Sequence, residues 1–368
     1  MYIFKSFIPR FFTYWKRRAM LHSLKKWRYF EFWPAPLFYL PIIPCYVYFS
    51  IKYRSLLAPF YANPNIENGG LIGESKWDFL KYLDPQAPAT LLAFRVSRGS
   101  NPHKNIEQIE KQIDFRYPMI CKPDVGQRGF GVRIIRDTKA LLEYLQNANF
   151  DVIVQKFSQY PKEAGIFYVR HPKSLQGEIF SITDKEFPTI IGDGISRMGD
   201  LILRDRRASM IAATYFARFE KQLDRVLKKG EVFSLVECGN HSQGTIFLNG
   251  KNLNTELLRL SIEKIALSMG HFYFGRFDIR YESAQALMKG ENFEIVEVNG
   301  AGSEATHIWD AKTTLIQAYR TLFQQWGLLF AIGDGVKKQK IKARISILKF
   351  LKESIKVHFN KKEFLISS

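Results

Sequence analysis

The sequence of 368 residues is poor in cysteine. Its three cysteines, Cys45, Cys121 and Cys238, are odd in number and far apart, and none stands at a spacing that would complete a zinc site. A disulfide framework and a structural zinc site are therefore both disfavoured, and a reducing cytoplasm is expected. The first thirty residues also lack the continuous apolar stretch of a signal peptide, because aromatic and basic residues alternate there.

Acidic residues are scarce at both ends of the chain. Residues 1–56 hold ten Lys and Arg against one acid, and residues 337–368 hold ten against two. The remaining 34 basic and 32 acidic residues nearly balance, so the formal net charge of +19 belongs almost entirely to the termini. A uniformly basic nucleic-acid-binding domain is disfavoured. With 46% apolar residues, a disordered chain is excluded as well.

The N-terminal arm combines aromatic and basic residues with a stretch that has no charge. Between Pro9 and Phe32, rings such as Trp15 and Trp27 alternate with Lys and Arg, which is typical of a helix lying in a membrane interface. Residues 32–51 are uncharged, a length that can span a bilayer, but four prolines interrupt them. We rank shallow interfacial or re-entrant contact first, packing on the protein's own body second, and a true span third.

The C-terminal segment has the spacing of an amphipathic helix. Ile341, Ile345, Leu348 and Leu351 recur at i, i+4, i+7 and i+10 among lysines. The pattern predicts either a helix on an anionic surface or an ordinary terminal helix with a solvated basic face. A helical run from Asp310 to about Leu329 is expected before it.

A glycine-rich segment follows a short apolar strand candidate. The strand ends at Lys122, and Gly126, Gly129 and Gly131 come next, with Arg128 between them. Their backbone N–H groups can approach a phosphate without obstruction by Cβ atoms, and Lys122 would add a positive charge. The spacing matches neither the Rossmann fingerprint nor the P-loop.

Two later strand patterns carry hard oxygen ligands. Asp278 lies in the first, and Glu297 and Asn299 lie two residues apart in the second, so these two project from one face. Carboxylate and amide oxygens are suited to Mg²⁺, which shares its remaining positions with water and phosphate. Ordinary polar faces of a half-exposed sheet would produce either segment alone. The order of both after the glycine segment favours the metal site.

From about Gly73 to Asp310 the chain resembles the ATP-grasp carboxylate–amine ligases, including D-alanine–D-alanine ligase and the cyanophycin-synthetase group. Several segments carry the resemblance. Lys76, in the segment Gly73-Glu74-Ser75-Lys76, resembles the first nucleotide-binding lysine of the family, and Lys122 resembles the second, under a lid at 126–131. The strand 152–157 resembles the hinge that faces adenine, with Gln155 and Lys156, and Glu163 resembles the acid that binds ribose. The loop 192–196 and the acceptor-side segment 240–245 also match the family.

The same resemblance implies further site residues. Arg276 would stabilise the acyl phosphate and the oxyanion, Asp278, Glu297 and Asn299 would bind magnesium, and the loop from Gly300 to Ser303 would hold a carboxylate or acyl phosphate. Two further hypotheses are that Lys185 reaches the nucleotide and that His241 orients an acceptor or acts as a base near neutral pH. A surface lysine and a loop histidine without such roles are the alternatives.

The resemblance implies an α+β ATP-grasp fold, in which two α/β subdomains enclose ATP, here with an atypical N-terminal arm and a basic C-terminal helix. We predict an arm over 1–56, a lead-in region over 57–115, a small ATP-grasp subdomain over 116–160, a catalytic subdomain over 161–330 and the basic helix over 331–368. The arm replaces the βαβ domain of authentic D-alanine–D-alanine ligase, so substrate recognition is expected to differ.

The implied activity is that of an ADP-forming ligase. With ATP and Mg²⁺ (or Mn²⁺), it would activate a carboxylate as an acyl phosphate and join it to an amine. Small or lipid-linked carboxylates and amines would be the substrates. No nucleic acid partner is expected, and the location would be cytoplasmic, with peripheral contact at the inner face of the membrane. The alternatives are an ATP-grasp kinase and a non-enzymatic membrane- or nucleic-acid-binding protein on a degenerate scaffold.

Overall fold

A computed structural model of the chain describes residues 14–15, 18–19, 27–111, 116–126, 131–236 and 244–359. Its contacts divide the chain into two compact units. The small unit comprises Met1–Leu40 and Glu186–Phe247, and the large unit comprises Pro41–Lys185 and Leu248–Ser368. This division differs from the predicted one, because residues 186–247 separate from the segments on either side of them.

The first sheet of the large unit has four antiparallel strands. They are β1 (Ala93–Val96), β2 (Met119–Pro123), β3 (Arg133–Ile135) and β4 (Val152–Lys156), in the order β1-β4-β2-β3. Helices α4 (Pro102–Glu110) and α5 (Thr138–Asn147) follow β1 and β3. Asn101 and Asp137 cap their N-termini through side-chain oxygens. Ile106, Met119 and Leu141 share one apolar core, so the helices cover a face of this sheet.

The second sheet has five strands in the order β11-β10-β5-β6-β9. Their bounds are β5 (Lys162–Val169), β6 (Glu178–Glu186), β9 (Ile246–Asn249), β10 (Phe274–Tyr281) and β11 (Phe293–Asn299). The core of this sheet includes Phe79 of the short helix α3 (Lys76–Leu80), together with Leu258 and Ile262 of α8 (Glu256–Ser268). The one-turn helix α9 (Ala284–Met288) precedes β11.

Helix α10 (Leu315–Lys338) begins with a capping box formed by Thr314 and Gln317. Leu329, Ile332 and Val336 belong to the same apolar cluster as Phe274 of β10, so α10 packs beside the second sheet. The helix is longer than the predicted run to Leu329. It ends before Lys340, whose φ of +56° interrupts helical geometry.

The terminal helix α11 (Ile347–Phe359) starts later than the sequence pattern predicts. Residues 341–346 have no helical assignment, so Ile341 and Ile345 lie outside the helix. Its inner side packs through Phe350, whose ring contacts that of Phe60 at 4.9 Å. Leu348 and Leu351 are exposed. The amphipathic helix therefore exists, but it begins at Ile347.

The proline-rich stretch forms two helices, α1 (Ala35–Tyr39) in the small unit and α2 (Ile42–Lys52) in the large unit. Pro34 and Pro41 are the N-caps and Pro36 and Pro44 lie in the first turns, where a missing N–H removes no helical hydrogen bond. Among the described residues, one segment, Ala35–Lys52, is long and apolar enough to cross a membrane, and 17% of it is buried. Leu40 and Pro41 interrupt the helix within it.

The small unit has its own apolar core, which is built on α6 (Met198–Arg204), α7 (Ala212–Arg218) and the hairpin of β7 (Thr189–Ile191) with β8 (Val232–Ser234). Trp15, which the sequence suggests as an interfacial anchor, is buried in this core, and its ring centroid lies 5.5 Å from that of Phe216. Most of the segment from Pro9 to Phe32 lies outside the described residues.

Candidate active site

Four predicted site residues meet on the neighbouring strands β10 and β11. Arg276 pairs in register with Asn299, and Asp278 pairs with Glu297. Because directly opposed residues of an antiparallel pair project from the same face, the four side chains share one surface of the sheet. On the other side of β10, Gly165 of β5 lies opposite Asp278. A Cβ at Gly165 would lie 3.0 Å from Cδ of Arg276, so the glycine leaves room for the cluster.

Asp278 is the centre of this cluster and accepts four hydrogen bonds. Arg276 donates through Nε (3.1 Å) and Nη2 (2.9 Å), Lys185 donates through Nζ (3.0 Å), and Asn299 donates through Nδ2 (2.9 Å). Burial alone would raise the pKa of Asp278. Arg276 and Lys185 outweigh the burial and hold this pKa below its ordinary value. The carboxylate is therefore ionised at every pH at which the protein would work.

Lys185 and Glu163 form a buried ion pair beside this cluster. Nζ of Lys185 lies 2.8 Å from Oε1 of Glu163, and Nε of Arg280 lies 3.2 Å from Oε2 of the same carboxylate. Burial would lower the pKa of Lys185, but Asp278 and Glu163 outweigh it and raise this pKa. Lys185 is thus held as a cation close to the predicted metal ligands.

Lys122 connects the two sheets of the large unit. It is buried on β2, and its Nζ donates to Oε1 of Gln155 on β4 and to the backbone oxygen of Val296 on β11, both at 2.8 Å. Burial lowers the pKa of Lys122 to about 8, although Glu297 and Asp278 oppose that effect. The amide Nε2 of Gln155 is also buried and has no hydrogen-bond partner among the described residues. A donor and a cation therefore lie side by side in the interior.

Lys76 reaches the same place from a different element. It begins α3, which Ser75 caps by accepting from the N–H of Asp78. Its Nζ donates to the backbone oxygen of Gly126 at 2.8 Å and lies 3.5 Å from Oε1 of Glu297. The structure thus brings both predicted nucleotide lysines to the strand that carries Glu297 and Asn299.

The other predicted nucleotide residues are less informative. Gly131 has a φ of +67°, in the region that favours glycine, while Arg128 and Gly129 lie outside the described residues. Lys156 is exposed at the end of β4, and its N–H donates to the oxygen of Leu92 at 2.9 Å. His241 also lies outside the described residues. The loop 192–196 belongs to the small unit, where Asp193 accepts from the N–H groups of Ile195 and Ser196.

The loop after β11 is held by its own hydrogen bonds. The hydroxyl of Ser303 donates to the oxygen of Gly300 at 2.6 Å, and Gln325 of α10 donates to the oxygen of Ser303 at 2.9 Å. In this arrangement Ser303 fixes the shape of the loop. A direct contact of Ser303 with a substrate stays a prediction.

Glu74 belongs to the cluster, although no role was predicted for it. Its Oε2 accepts from the N–H of Gly300 at 3.3 Å. Burial raises the pKa of Glu74 to about 8; the N–H of Gly300 acts in the opposite direction, and the charge of Glu297 adds to the increase. The one signal in the sequence is its position two residues before Lys76, the first predicted nucleotide lysine.

The donor set of Asp278, Glu297 and Asn299 fits a magnesium ion. Two carboxylates and an amide oxygen are hard ligands, and Glu297 is the less engaged of the two acids because its nearest cation is 3.5 Å away. No group of three or more His, Cys, Asp or Glu residues suited to a metal occurs among the described residues. A metal here would thus depend on Asn299 and on a ligand's own oxygens. The unpaired Nε2 of Gln155 beside Lys122 likewise fits an acceptor atom of a nucleotide.

Comparisons with known proteins give similarity of structure only. No protein-family model matches the chain, and no curated protein matches it. Among solved structures, a bifunctional glutathione synthetase from Pasteurella multocida matches 68% of this chain at 14% identity and a TM-score of 0.39. The D-Ala:D-Ser ligase VanG from Enterococcus faecalis matches 77% at 13% identity and 0.37. A Bacillus anthracis D-alanine–D-alanine ligase complexed with ATP matches 78% at 12% identity and 0.40.

The chain covers 35% of the glutathione synthetase, 63% of VanG and 70% of the Bacillus anthracis ligase. The predicted α+β fold is confirmed by the two sheets and the helices packed on them. At identities of 12–14% these structures support the fold alone, and any inference about activity or substrate depends on the site residues.

Proposed function

We propose that the protein is an ATP- and Mg²⁺-dependent ligase that joins a carboxylate to an amine. The observation that carries this proposal is the convergence of Lys76 and Lys122, from separate elements, on the strand pair that holds Arg276, Asp278, Glu297 and Asn299. Cations for a polyphosphate and hard ligands for its metal ion are the two requirements of phosphoryl transfer.

Each residue has a distinct task in this proposal. Lys76 and Lys122 neutralise phosphate oxygens, and the unpaired amide of Gln155 donates to the nucleotide. Asp278, Glu297 and Asn299 hold Mg²⁺, which supplies charge neutralisation and alignment of the terminal phosphates. The ion pairs of Lys185 with Glu163 and Asp278 keep the carboxylates oriented before the ligand arrives.

The reaction follows from the poor reactivity of a carboxylate, whose leaving group would be oxide. Transfer of the terminal phosphoryl group to a carboxylate oxygen forms an acyl phosphate, and ADP leaves. The amine then attacks the carbonyl carbon, phosphate leaves, and the amine loses a proton. Arg276 is the guanidinium that donates to the metal ligand Asp278, so we assign it to the developing negative charge.

The test is a phosphate-release screen with Mg²⁺ and ATP over amino acids, peptides and lipid-linked acids, followed by mass spectrometry of the products. We expect release of free phosphate that requires both a carboxylate and an amine. The control is Glu291→Ala, an exposed acid just before β11, against Glu297→Ala. A phosphorylated product without free phosphate would instead identify a kinase. No ATP consumption with any acceptor would contradict an enzymatic function.

A further inference from the structure

Helix α2 presents an apolar face to solvent. Ile43, Val47, Tyr48 and Ile51 are 59%, 50%, 59% and 72% exposed. At 100° per residue they fall on one side of the helix. The other side packs on α10, where the ring of Phe49 lies 5.7 Å from that of Phe330. The helix is therefore apolar on both sides, although α10 covers only one of them.

An open groove of about 600 Å³ adjoins this helix. Its lining is largely apolar and comes from α2 and the first half of α10: Phe49, Ile316, Tyr319, Arg320, Phe323, Gln324 and Gly327. Ile316 is 77% exposed. The groove thus extends the apolar face of α2 onto α10.

In residues 42–54 and 315–333, which form this surface, every charged residue is basic. Lys52, Arg54 and Arg320 are exposed, and the ammonium group of Lys52 lies over the rings of Phe49 and Tyr53. No acidic residue occurs in α2 or in residues 315–333 of α10. Apolar side chains bordered by cations complement a surface that offers hydrocarbon beneath anionic groups.

The packing of α2 favours contact with one face of a membrane over a span. An 11-residue helix is about 16 Å long, against about 30 Å for a bilayer core. Its inner side is also occupied by aromatic contacts with α10. If only the exposed side chains of α2 enter the membrane interface, the helix can stay 11 residues long and keep its contacts with α10.

We propose that the outer face of α2, together with the adjoining groove, binds the surface of a bilayer that contains anionic lipids. Ile43, Val47 and Ile51 enter the interface between headgroups and acyl chains, while Lys52, Arg54 and Arg320 contact lipid phosphates. This places the large unit at a membrane surface, and it holds whether or not the protein is a ligase.

The experiment is cosedimentation of the full chain with vesicles of phosphatidylcholine alone or mixed with phosphatidylglycerol. We expect binding to the mixed vesicles that weakens with salt. The triple variant Ile43→Gln/Val47→Gln/Ile51→Gln should bind about tenfold or more weakly, because three exposed apolar side chains no longer enter the interface. The charge variant Lys52→Gln/Arg54→Gln/Arg320→Gln should lose most of the salt-dependent part of its binding to the mixed vesicles.

The matched control is Leu257→Gln/Leu260→Gln/Leu267→Gln on α8, whose leucines are 57%, 48% and 46% exposed. It should bind as the parent does, and circular dichroism should show all variants folded. Equal losses in both triple variants, or no binding to mixed vesicles, would overturn the proposal. A carbonate-resistant protein would indicate a span instead. If the parent protein dimerises but does not bind vesicles, and the α2 triple variant abolishes the dimer, the face binds a second copy of the chain instead.

Discussion

If the proposed function holds, the low pKa of Lys122 should make the affinity for nucleotide depend on pH. With a pKa of about 8, the amine is largely protonated at neutral pH and largely neutral one unit above 8. If only the protonated form binds phosphate, affinity for MgATP should fall about tenfold between pH 7.5 and 9. A bound polyphosphate would raise the pKa of Lys122, so binding near pH 8.5 should also take up a proton.

The variant Lys122→Met isolates this effect. A hydrogen bond to a charged partner contributes about 1.5–3 kcal/mol, so affinity at pH 7 should fall roughly 10- to 150-fold, and the further fall between pH 7.5 and 9 should become much smaller than in the parent. Lys139→Met is the matched control, since Lys139 is exposed on α5 and carries the same charge. Isothermal titration calorimetry in buffers of different ionisation enthalpy measures both the affinity and the proton uptake.

The stability of the protein reports on the same group. Because the folded-state pKa of Lys122 lies below its ordinary 10.5, the unfolded chain binds more protons between about pH 8 and 10.5. The free energy of unfolding should therefore gain up to about 3 kcal/mol over this range, a gain that Lys122→Met removes. A constant affinity between pH 7 and 9, or equal losses in Lys122→Met and Lys139→Met, would refute this reasoning.

Three further predictions concern the carboxylates. Glu297→Ala should abolish ATP consumption and change the melting temperature little, because this side chain is 33% exposed; wild-type turnover in a phosphate-release assay would exclude Glu297 as a metal ligand. Asp278→Asn should destabilise the fold by about 3–5 kcal/mol, since it leaves Lys185 and Arg276 without their shared anion, and urea unfolding would measure the loss. The pKa of Glu74 is raised from its ordinary 4.5 to about 8. The free energy of unfolding should therefore decline as the pH rises from 4.5 to 8, because Glu74 loses its proton at a lower pH in the unfolded chain than in the folded protein. Glu74→Gln should flatten that decline. Because the side chain is half-buried, the variant should be about 2 kcal/mol more stable than the parent at pH 8. Parallel pH profiles of the two proteins in thermal unfolding would contradict this expectation.

The sequence predicted the parts of the site that rest on strand periodicity. Glu297 and Asn299 are two residues apart, so a common face followed from β geometry alone. Their pairing with Asp278 and Arg276 needed only that two strand patterns become neighbours, and β10 and β11 are joined by the short segment 282–292. The α+β class was implied by the resemblance to the ATP-grasp ligases, and the two sheets with their packed helices confirm it.

Side-chain contacts between segments that are distant in sequence could not be predicted. The hydrogen bond of Lys122 to Val296 links two sheets 174 residues apart in sequence, and the raised pKa of Glu74 comes from burial that no local pattern encodes. The separate small unit was missed because residues 186–247 show the same mixed texture as their neighbours. The helices that follow Pro34 and Pro41 are not predicted when proline counts only as a helix breaker, because proline is also favoured where a helix begins.

The ion pairs around Asp278 also set the electrical balance of the site. Among the described residues the cluster has five cations, Lys76, Lys122, Lys185, Arg276 and Arg280, against four carboxylates, Glu163, Asp278, Glu297 and Glu304. Glu74, with a pKa of about 8, is mostly protonated at neutral pH and adds little negative charge. The resting pocket is thus positively charged, whereas a magnesium–nucleotide complex retains net negative charge. Binding would bring the pocket toward neutrality, so free Mg²⁺ should enter poorly unless the polyphosphate accompanies it.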